Sequence, residues 1–183
     1  MAKVIIVGDG PGGLSAALFL AKNGHDVVVY GQDETAVNFA YLCNYLGISE
    51  ISGTEFQRVA RSQVLAHGGR LVEEAVAAVE AVEGGFVVQS DSGRAEAQYL
   101  VLTEGKEPTL ARSLSLEEDG DGRIVVDSEM RASLDGVYVV GRSIRPTRSQ
   151  AIISAGDGAR AALDILAHES GKDVQDWDTP PKH

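Results

Sequence analysis

The chain opens with a short apolar run, residues 4–7, which has the length and composition of a strand buried on both faces. Apolar positions at helical spacing follow over 12–23, and a second strand is predicted over 26–30, where Asp26 precedes an apolar run. Strand, helix and strand in this order are typical of a βαβ unit, in which the two strands are parallel. We therefore expect the chain to begin on a parallel sheet.

A second helix is expected after an irregular stretch, 31–52, that is long enough to be a functional loop or to hold a short helix. This helix should run over 54–67, with Thr54 as its N-cap and the glycine pair 68–69 ending it. Its expected buried face consists of Phe56, Val59, Val64 and Leu65.

The second half of the chain is richer in strands. The hydrophobic pattern predicts them over 70–72, 75–82, 86–90, 95–103, 124–126 and 137–140. Gly84-Gly85 is a hairpin signal, a short helical piece is expected over 110–114, and a long helix over 150–169. This order predicts an α/β fold, a Rossmann-like doubly wound parallel sheet with an antiparallel β-meander insert. We expect one domain over 1–170 and a polar tail over 171–183.

Composition narrows the class of protein. Of the 183 residues, 44% are hydrophobic and 23% charged, which is typical of a globular protein, and no apolar run reaches the length of a membrane span. The net charge of -11 argues against nucleic acid or an anionic membrane as a partner. This excess of acidic residues is equally typical of proteins from a cytoplasm with a high salt concentration and of ordinary acidic proteins. Residues 1–3 carry no signal-peptide pattern, so we expect a cytoplasmic location.

Side chains that could supply redox or metal chemistry are sparse. Cys43 is the only cysteine, which excludes a C-x-x-C pair and an intrachain disulfide. Most isolated cysteines are small core residues, and we expect the same here. The histidines have no ligand spacing, so no metal site is expected. No side chain stands out as an acid–base or nucleophilic catalyst.

The most informative motif is the G-x-G-x-x-G spacing of Gly8, Gly10 and Gly13, which follows the first strand and opens the first helix. The first glycine permits a tight turn, the second lets the backbone approach a pyrophosphate, and the third allows close helix–strand packing. The free N–H groups and the positive dipole end of that helix would face the phosphates. The motif predicts a dinucleotide site; the alternative is an unoccupied glycine-rich turn.

Several segments together resemble, in order, the FAD-binding domain of the thioredoxin-reductase branch of the pyridine nucleotide-disulfide oxidoreductases. They are the glycine motif, Asn44-Tyr45-Leu46-Gly47, 51–56, 121–138, and Gln150 with 155–162. The resemblance covers about 3–167. It implies an FAD site along the glycine motif, with the isoalloxazine ring near Tyr45 and Gln150. It also implies a homodimer, because related flavin domains usually pair in two-fold dimers.

One large element of that family is missing. Its members carry an NADPH domain between the strand that ends near Thr103 and the segment that ends at Gly141, whereas residues 104–138 are too few for a second dinucleotide fold. The resemblance therefore implies the flavin domain alone. Its electrons would come from a separate donor, a protein or a diffusible reductant, and a second protein could be the acceptor.

Two departures from the family pattern fall on positions that contact FAD in the family. Gly31 ends the second strand, where an acid should bond the adenosine ribose, and the nearest acids are Asp33 and Glu34. Either Asp33 bends back or a contact of about 1–3 kcal/mol is lost. Glu104 stands where a small hydroxyl residue is expected; it either faces the pyrophosphate, which is repulsive, or turns outward as a surface acid.

The third departure is Arg142, which replaces the aspartate that binds the flavin's ribityl chain in the family. With Arg145 and Arg148 it places three guanidiniums within seven residues, at the sheet edge where open α/β folds bind ligands. Guanidinium groups suit phosphates and carboxylates. We interpret this loop as a grip for an anionic group; the alternative is a solvated or acid-paired loop.

Three functions remain open on these observations. The favoured one is an FAD-dependent oxidoreductase; the others are a divergent nucleotide- or anion-binding protein that has lost FAD, and an interaction subunit without a ligand. The residues expected to contact the cofactor are Gly8, Gly10, Pro11, Gly12, Gly13, Gly31, Gln32, Asp33, Tyr45, Gly105, Gly141, Arg142, Arg148, Gln150, Ala151 and Ile152.

Overall fold

The computed structural model describes residues 1–179, so positions 180–183 of the expected polar tail lie outside the described residues. The strands are β1 (Lys3–Val7), β2 (Asp26–Tyr30), β3 (Tyr41–Leu42), β4 (Ile51–Ser52), β5 (Arg70–Val72), β6 (Val76–Val82), β7 (Gly85–Ser90), β8 (Gly93–Ala97), β9 (Tyr99–Leu102) and β10 (Val137–Val139). The helices are α1 (Pro11–Lys22), α2 (Gly53–Ala66), α3 (Thr109–Ser113) and α4 (Ala151–Ser170).

Five parallel strands form the central sheet, in the order β10-β9-β1-β2-β5. The apolar runs of β1, β2 and β9 are buried on both faces, as a parallel sheet covered by helices requires. The predicted doubly wound sheet is therefore confirmed. Its carboxyl edge gathers the ends of β1, β2, β9 and β10.

Helices α1 and α4 pack against each other with almost no space between their backbones. A Cβ on Gly158 would lie 2.0 Å from the carbonyl oxygen of Gly12, so only glycine allows this approach. Ala16, Ala161 and Ala162 are fully buried nearby in the core. The small residues bring the N-termini of both helices to the same edge of the sheet.

The antiparallel insert is a three-stranded meander, β6-β7-β8, with its hairpin at the predicted glycine pair. One expected strand, 95–103, is divided between two sheets. Its first part belongs to β8 and its second part to β9, and the chain changes sheet at Gln98, whose backbone N–H donates to the Lys3 carbonyl. Both parts have strand character, so the sequence does not mark the change.

The strand expected over 124–126 was wrong. Ile124 is buried but forms only an isolated bridge to Glu118, and Val125 is exposed. The apolar side chain of Ile124 packs into the core although its backbone belongs to an irregular segment. A single buried residue can be placed in the core without a strand.

Helix α2 also differs from the expectation. Ser52, not Thr54, is the N-cap, since its Oγ accepts a hydrogen bond from the Glu55 N–H at 3.2 Å. The helix buries Val64, as expected, together with Gln57, and it half-buries Phe56. Val59 and Leu65 are exposed, so that part of the expected face was wrong. The side of α2 that faces the core is therefore determined in part by the hydrogen bond of the Gln57 amide, which hydrophobic spacing does not reveal.

Cys43 is exposed, so the expectation of a core residue was wrong. It lies in the loop 43–50, between β3 and β4. None of the helices within 1–179 is long and apolar enough to cross a membrane.

Candidate functional site

The carboxyl edge of the sheet opens on a cleft of about 870 Å³, within the size range of cofactor sites. Five segments line it: the glycine loop after β1, the chain from the end of β2 to β3, the start of β6, the chain from β9 to α3, and the connection from β10 to α4. This is the position at which open α/β sheets bind their ligands.

The glycine loop has the tight geometry that its spacing predicts. Gly8 has φ +103, and a Cβ there would lie 2.5 Å from the Thr103 carbonyl oxygen. A Cβ on Gly13 would lie 2.1 Å from the Gly8 carbonyl oxygen. The first glycine therefore serves the turn and the third serves close packing. Gly10 borders the cleft, where a Cβ would lie 3.2 Å from Thr35 Oγ1.

Two helix N-termini reach the cleft without a side-chain cap. Helix α1 has Gly10 as its N-cap and Pro11 as its first residue, and the N–H groups of Gly12 and Gly13 donate to no acceptor within residues 1–179. The N-cap of α4, Gln150, makes no capping bond either. Free N–H groups at a positive dipole end attract anions, so both starts can bind negatively charged ligand atoms.

The loop after β3 reaches the start of α4. Asn44 Nδ2 donates to Gln150 Oε1 at 3.1 Å, which places the predicted flavin-ring segment beside that helix end. Tyr45 packs against Phe56 with ring centroids 5.4 Å apart, and burial raises the pKa of its phenol. Tyr45 does not line the cleft.

Most of the predicted contact residues come together here. Those that line the cleft are Gly8, Gly10, Pro11, Gly12, Gly31, Gln32, Gly105, Gly141, Arg142, Gln150 and Ala151. Those that do not are Gly13, which is buried under the glycine loop, and Asp33, Tyr45, Arg148 and Ile152.

Comparison with known proteins decides the family. Residues 2–55 and 46–158 match the sequence profile of the pyridine nucleotide-disulphide oxidoreductases. The chain belongs to this family. No curated protein matches the sequence.

Solved structures with the same fold include thioredoxin reductases of three organisms. That of Gloeobacter violaceus has 17% identity and a TM-score of 0.88, over 98% of this chain and 99% of that chain. The atypical thioredoxin reductase TRi of Desulfovibrio vulgaris Hildenborough has 16% identity and a TM-score of 0.84, over 93% and 99%. The enzyme of T. acidophilum has 17% identity and a TM-score of 0.78, over 92% and 99%. At these identities the likeness shows the fold.

The first departure from the family pattern, Gly31, is explained by a residue that the sequence analysis missed. A Cβ on Gly31 would lie 2.3 Å from Cγ of Asp9, whose carboxyl group therefore fills the space beside the end of β2. Asp33 does not bend back into the cleft; its backbone N–H donates to Asp9 Oδ2 at 3.0 Å. The sequence did contain a signal for this role, because Asp9 is an acidic residue inside the glycine motif.

The second departure, Glu104, takes neither of the expected orientations. Its carboxylate caps α3 by accepting hydrogen bonds from the N–H groups of Leu110 at 2.7 Å and Ala111 at 3.0 Å. Burial raises the pKa of the Glu104 carboxyl, and the α3 N–H groups oppose that shift. The side chain lines the cleft, but its charge is directed into the helix start rather than toward the glycine loop.

The arginine loop presents one guanidinium to the cleft. Arg142 lines the cleft, whereas Arg145 and Arg148 are exposed outside it. In the described part of the chain none of the three forms an ion pair, so the acid-paired alternative was wrong, whereas the exposure of Arg145 and Arg148 fits a solvated loop. Asp157 is buried in α4; burial raises the pKa of its carboxyl, and the charge of Arg145 opposes the shift.

Proposed function

We propose that this chain binds FAD in the cleft and acts as a flavin-dependent oxidoreductase. The observation that carries the proposal is an open cleft of about 870 Å³ on which two uncapped helix N-termini meet. The free N–H groups of the two helix starts suit a ligand that has a diphosphate and, at a distance from it, a polar ring edge. Membership of the family supports the same class of reaction.

The chain's own residues would bind and orient the cofactor. The N–H group of Gly12, which lines the cleft, would donate to the diphosphate, and the backbone at Gln150 and Ala151 would hold the pyrimidine edge of the ring. The positive end of α4 would stabilise negative charge on the reduced ring. When bound, the flavin supplies the electron-transfer chemistry, while these groups set its orientation and potential.

The electrons, in this proposal, come from a separate donor. Residues 103–136, between β9 and β10, hold the short helix α3 and irregular chain, with no second parallel sheet. The G-x-G-x-x-G spacing also occurs once in the sequence. A donor protein or a diffusible reductant would therefore reduce the flavin. That two copies of the chain form a homodimer stays a prediction.

Absorption spectroscopy tests the proposal. After incubation with excess FAD and exhaustive dialysis, we expect the protein to keep the yellow flavin bands and to lose them on addition of dithionite. FMN, which lacks the adenosine half, should be retained less well in the same experiment. A protein that is colourless after dialysis against FAD-free buffer would contradict the proposal.

A second candidate function is a divergent nucleotide-binding protein without FAD. Arg142 favours it, because a guanidinium lines the cleft where the family has a carboxylate. A thermal-shift panel of FAD, FMN, NAD, NADP, AMP and ADP separates the two candidates. Stabilisation by mononucleotides and not by FAD would support the second; stabilisation by FAD supports the first.

Charge reversal at Arg142 gives a further distinction. If FAD is the ligand, we expect Arg142→Asp to raise FAD affinity about tenfold, since the carboxylate can accept hydrogen bonds from the ribityl hydroxyls. Arg148→Asp, the same charge change outside the cleft, should leave the affinity unchanged. Fluorescence titration measures both variants. A loss of FAD affinity confined to Arg142→Asp would contradict this expectation and show that the guanidinium holds an anionic group.

A further inference from the structure

The end of β2 lacks the carboxylate that dinucleotide-binding folds place there. In those folds an acid about 20 residues after the glycine motif accepts a hydrogen bond from the adenosine ribose. Gly31 stands at this point and lines the cleft. Its Cβ position would be 2.5 Å from Oδ1 of Asp9, so a side chain fits at position 31 only if Asp9 moves.

The Asp9 carboxylate occupies that space from inside the glycine loop. It is buried, with 5% of the residue exposed, and lines the cleft. Its Oδ2 accepts hydrogen bonds from Arg61 Nη1 and from the Asp33 N–H. Gln57 Nε2 holds the loop by donating to the Asp9 carbonyl at 2.6 Å. No group within residues 1–179 donates to Oδ1, which leaves an acceptor free for a ligand.

Arg61 makes this carboxylate compatible with a neighbouring diphosphate. Its side chain is 13% exposed; Nη1 pairs with Asp9, and Nη2 pairs with Glu73 at 2.6 Å. A buried carboxylate without such a partner carries a desolvation penalty and would repel the phosphates. The Arg61 guanidinium, which also pairs with the exposed Glu73, thus partly compensates the charge of an acceptor that stays available to a ligand.

We propose that Asp9 Oδ1 accepts a hydrogen bond from an adenosine ribose hydroxyl, so that the acid of the ribose site comes from the glycine loop instead of β2. The inference rests on the proposed function, but it concerns the adenosine half of the ligand only. It therefore favours adenine nucleotides with a free 2′-hydroxyl. A 2′-phosphate would face the Asp9 carboxylate, and we expect NADP to bind at least tenfold more weakly than NAD.

Moving the carboxylate between the two positions tests the inference. Asp9→Gly removes it, Gly31→Glu alone forces two side chains into one space, and the double variant Asp9→Gly/Gly31→Glu places one carboxylate at the end of β2. We expect Asp9→Gly to lower FAD affinity about tenfold and to leave FMN affinity unchanged, because FMN has no adenosine. The double variant should recover most of the loss. Fluorescence titration gives the affinities, and circular dichroism verifies the fold of each variant.

Two further variants keep the test decisive. Asp9→Asn keeps the size of the side chain and one acceptor oxygen, and serves if Asp9→Gly does not fold; it should lose severalfold in FAD affinity. Asp33→Gly is the matched control, because φ +55 at this position suits glycine and its side chain does not line the cleft. It should bind FAD like the wild type.

The outcomes separate the inference from the proposed function. Equal losses of FAD and FMN in Asp9→Gly would show that Asp9 only shapes the loop, and would overturn the inference alone. A loss in Asp33→Gly in place of Asp9→Gly would do the same. A wild-type protein that binds no adenine nucleotide would overturn the inference together with the proposed function.

Discussion

Replacing Gly13 by alanine is expected to weaken FAD binding strongly and to destabilise the fold, although it adds a single methyl group. The new Cβ would lie 2.1 Å from the Gly8 carbonyl oxygen, a backbone atom that cannot turn aside. Opening the loop would also strain the hydrogen bond from the Gly8 N–H to the Tyr30 carbonyl, 2.7 Å long, which ties the loop to β2. We expect the free energy of unfolding to fall by about 1–3 kcal/mol and FAD affinity to fall more than tenfold.

Gly156→Ala provides the control for Gly13→Ala. Gly156 lies inside α4, and a Cβ there would meet no atom within 4 Å. Alanine at a helix interior is favoured over glycine, so this variant should gain about 0.5–1 kcal/mol and bind FAD normally. Urea denaturation and flavin titration measure both variants. If Gly13→Ala behaves like Gly156→Ala, the loop is not packed as described.

The parallel sheet was predictable because its strands are apolar on both faces. The runs 4–7 and 27–30 have no polar side, and burial between two helical layers is the arrangement that satisfies them. The glycine motif was equally informative, because its spacing acts locally: the turn, the helix start and the cleft wall all lie within a few residues of Gly8.

The features that sequence reasoning missed depend on distant partners. Gln57 is polar yet fully buried, because its amide binds the Asp9 carbonyl, 48 residues away in the chain. Hydrophobic spacing alone therefore found Val64 but wrongly placed Val59 and Leu65 on the buried face of α2. The change of sheet at Gln98 was hidden for a similar reason: both halves of the run are strand-forming, and only the Lys3 carbonyl and the neighbouring strands decide where each half pairs.

The departures in the cleft show the same dependence. Gly31 by itself indicates a lost ribose contact, and Asp9 by itself indicates an unusual residue in a glycine loop. Only their proximity in space shows that one accounts for the other. Glu104 likewise has a clear role only once the N–H groups of α3 are placed against it. A single sequence carries the residue types, but not these pairings.

Replacing Arg61 by methionine is expected to have the largest effect of any change outside the glycines. Methionine keeps much of the length and the apolar stem, but removes the charge that faces the buried Asp9 carboxylate. Breaking a buried ion pair by removing one partner costs about 3–5 kcal/mol. The unpaired carboxylate would also repel a diphosphate on the adjacent N–H groups, so FAD affinity should fall with stability. Urea denaturation and fluorescence titration measure the two effects.

Two comparisons identify the cause of that loss. Asp9→Asn/Arg61→Met removes both charges and should be more stable than Arg61→Met alone, because no unpaired charge stays buried. Arg58→Met, one turn earlier in α2, breaks only an exposed pair with Glu55 and should change stability by less than about 1 kcal/mol. If Arg61→Met is no more harmful than Arg58→Met, Arg61 does not compensate a buried charge. The Asp9 carboxylate would then lie beside the diphosphate without a compensating charge. This is unfavourable, because Asp9 directly precedes Gly10, the N-cap of α1.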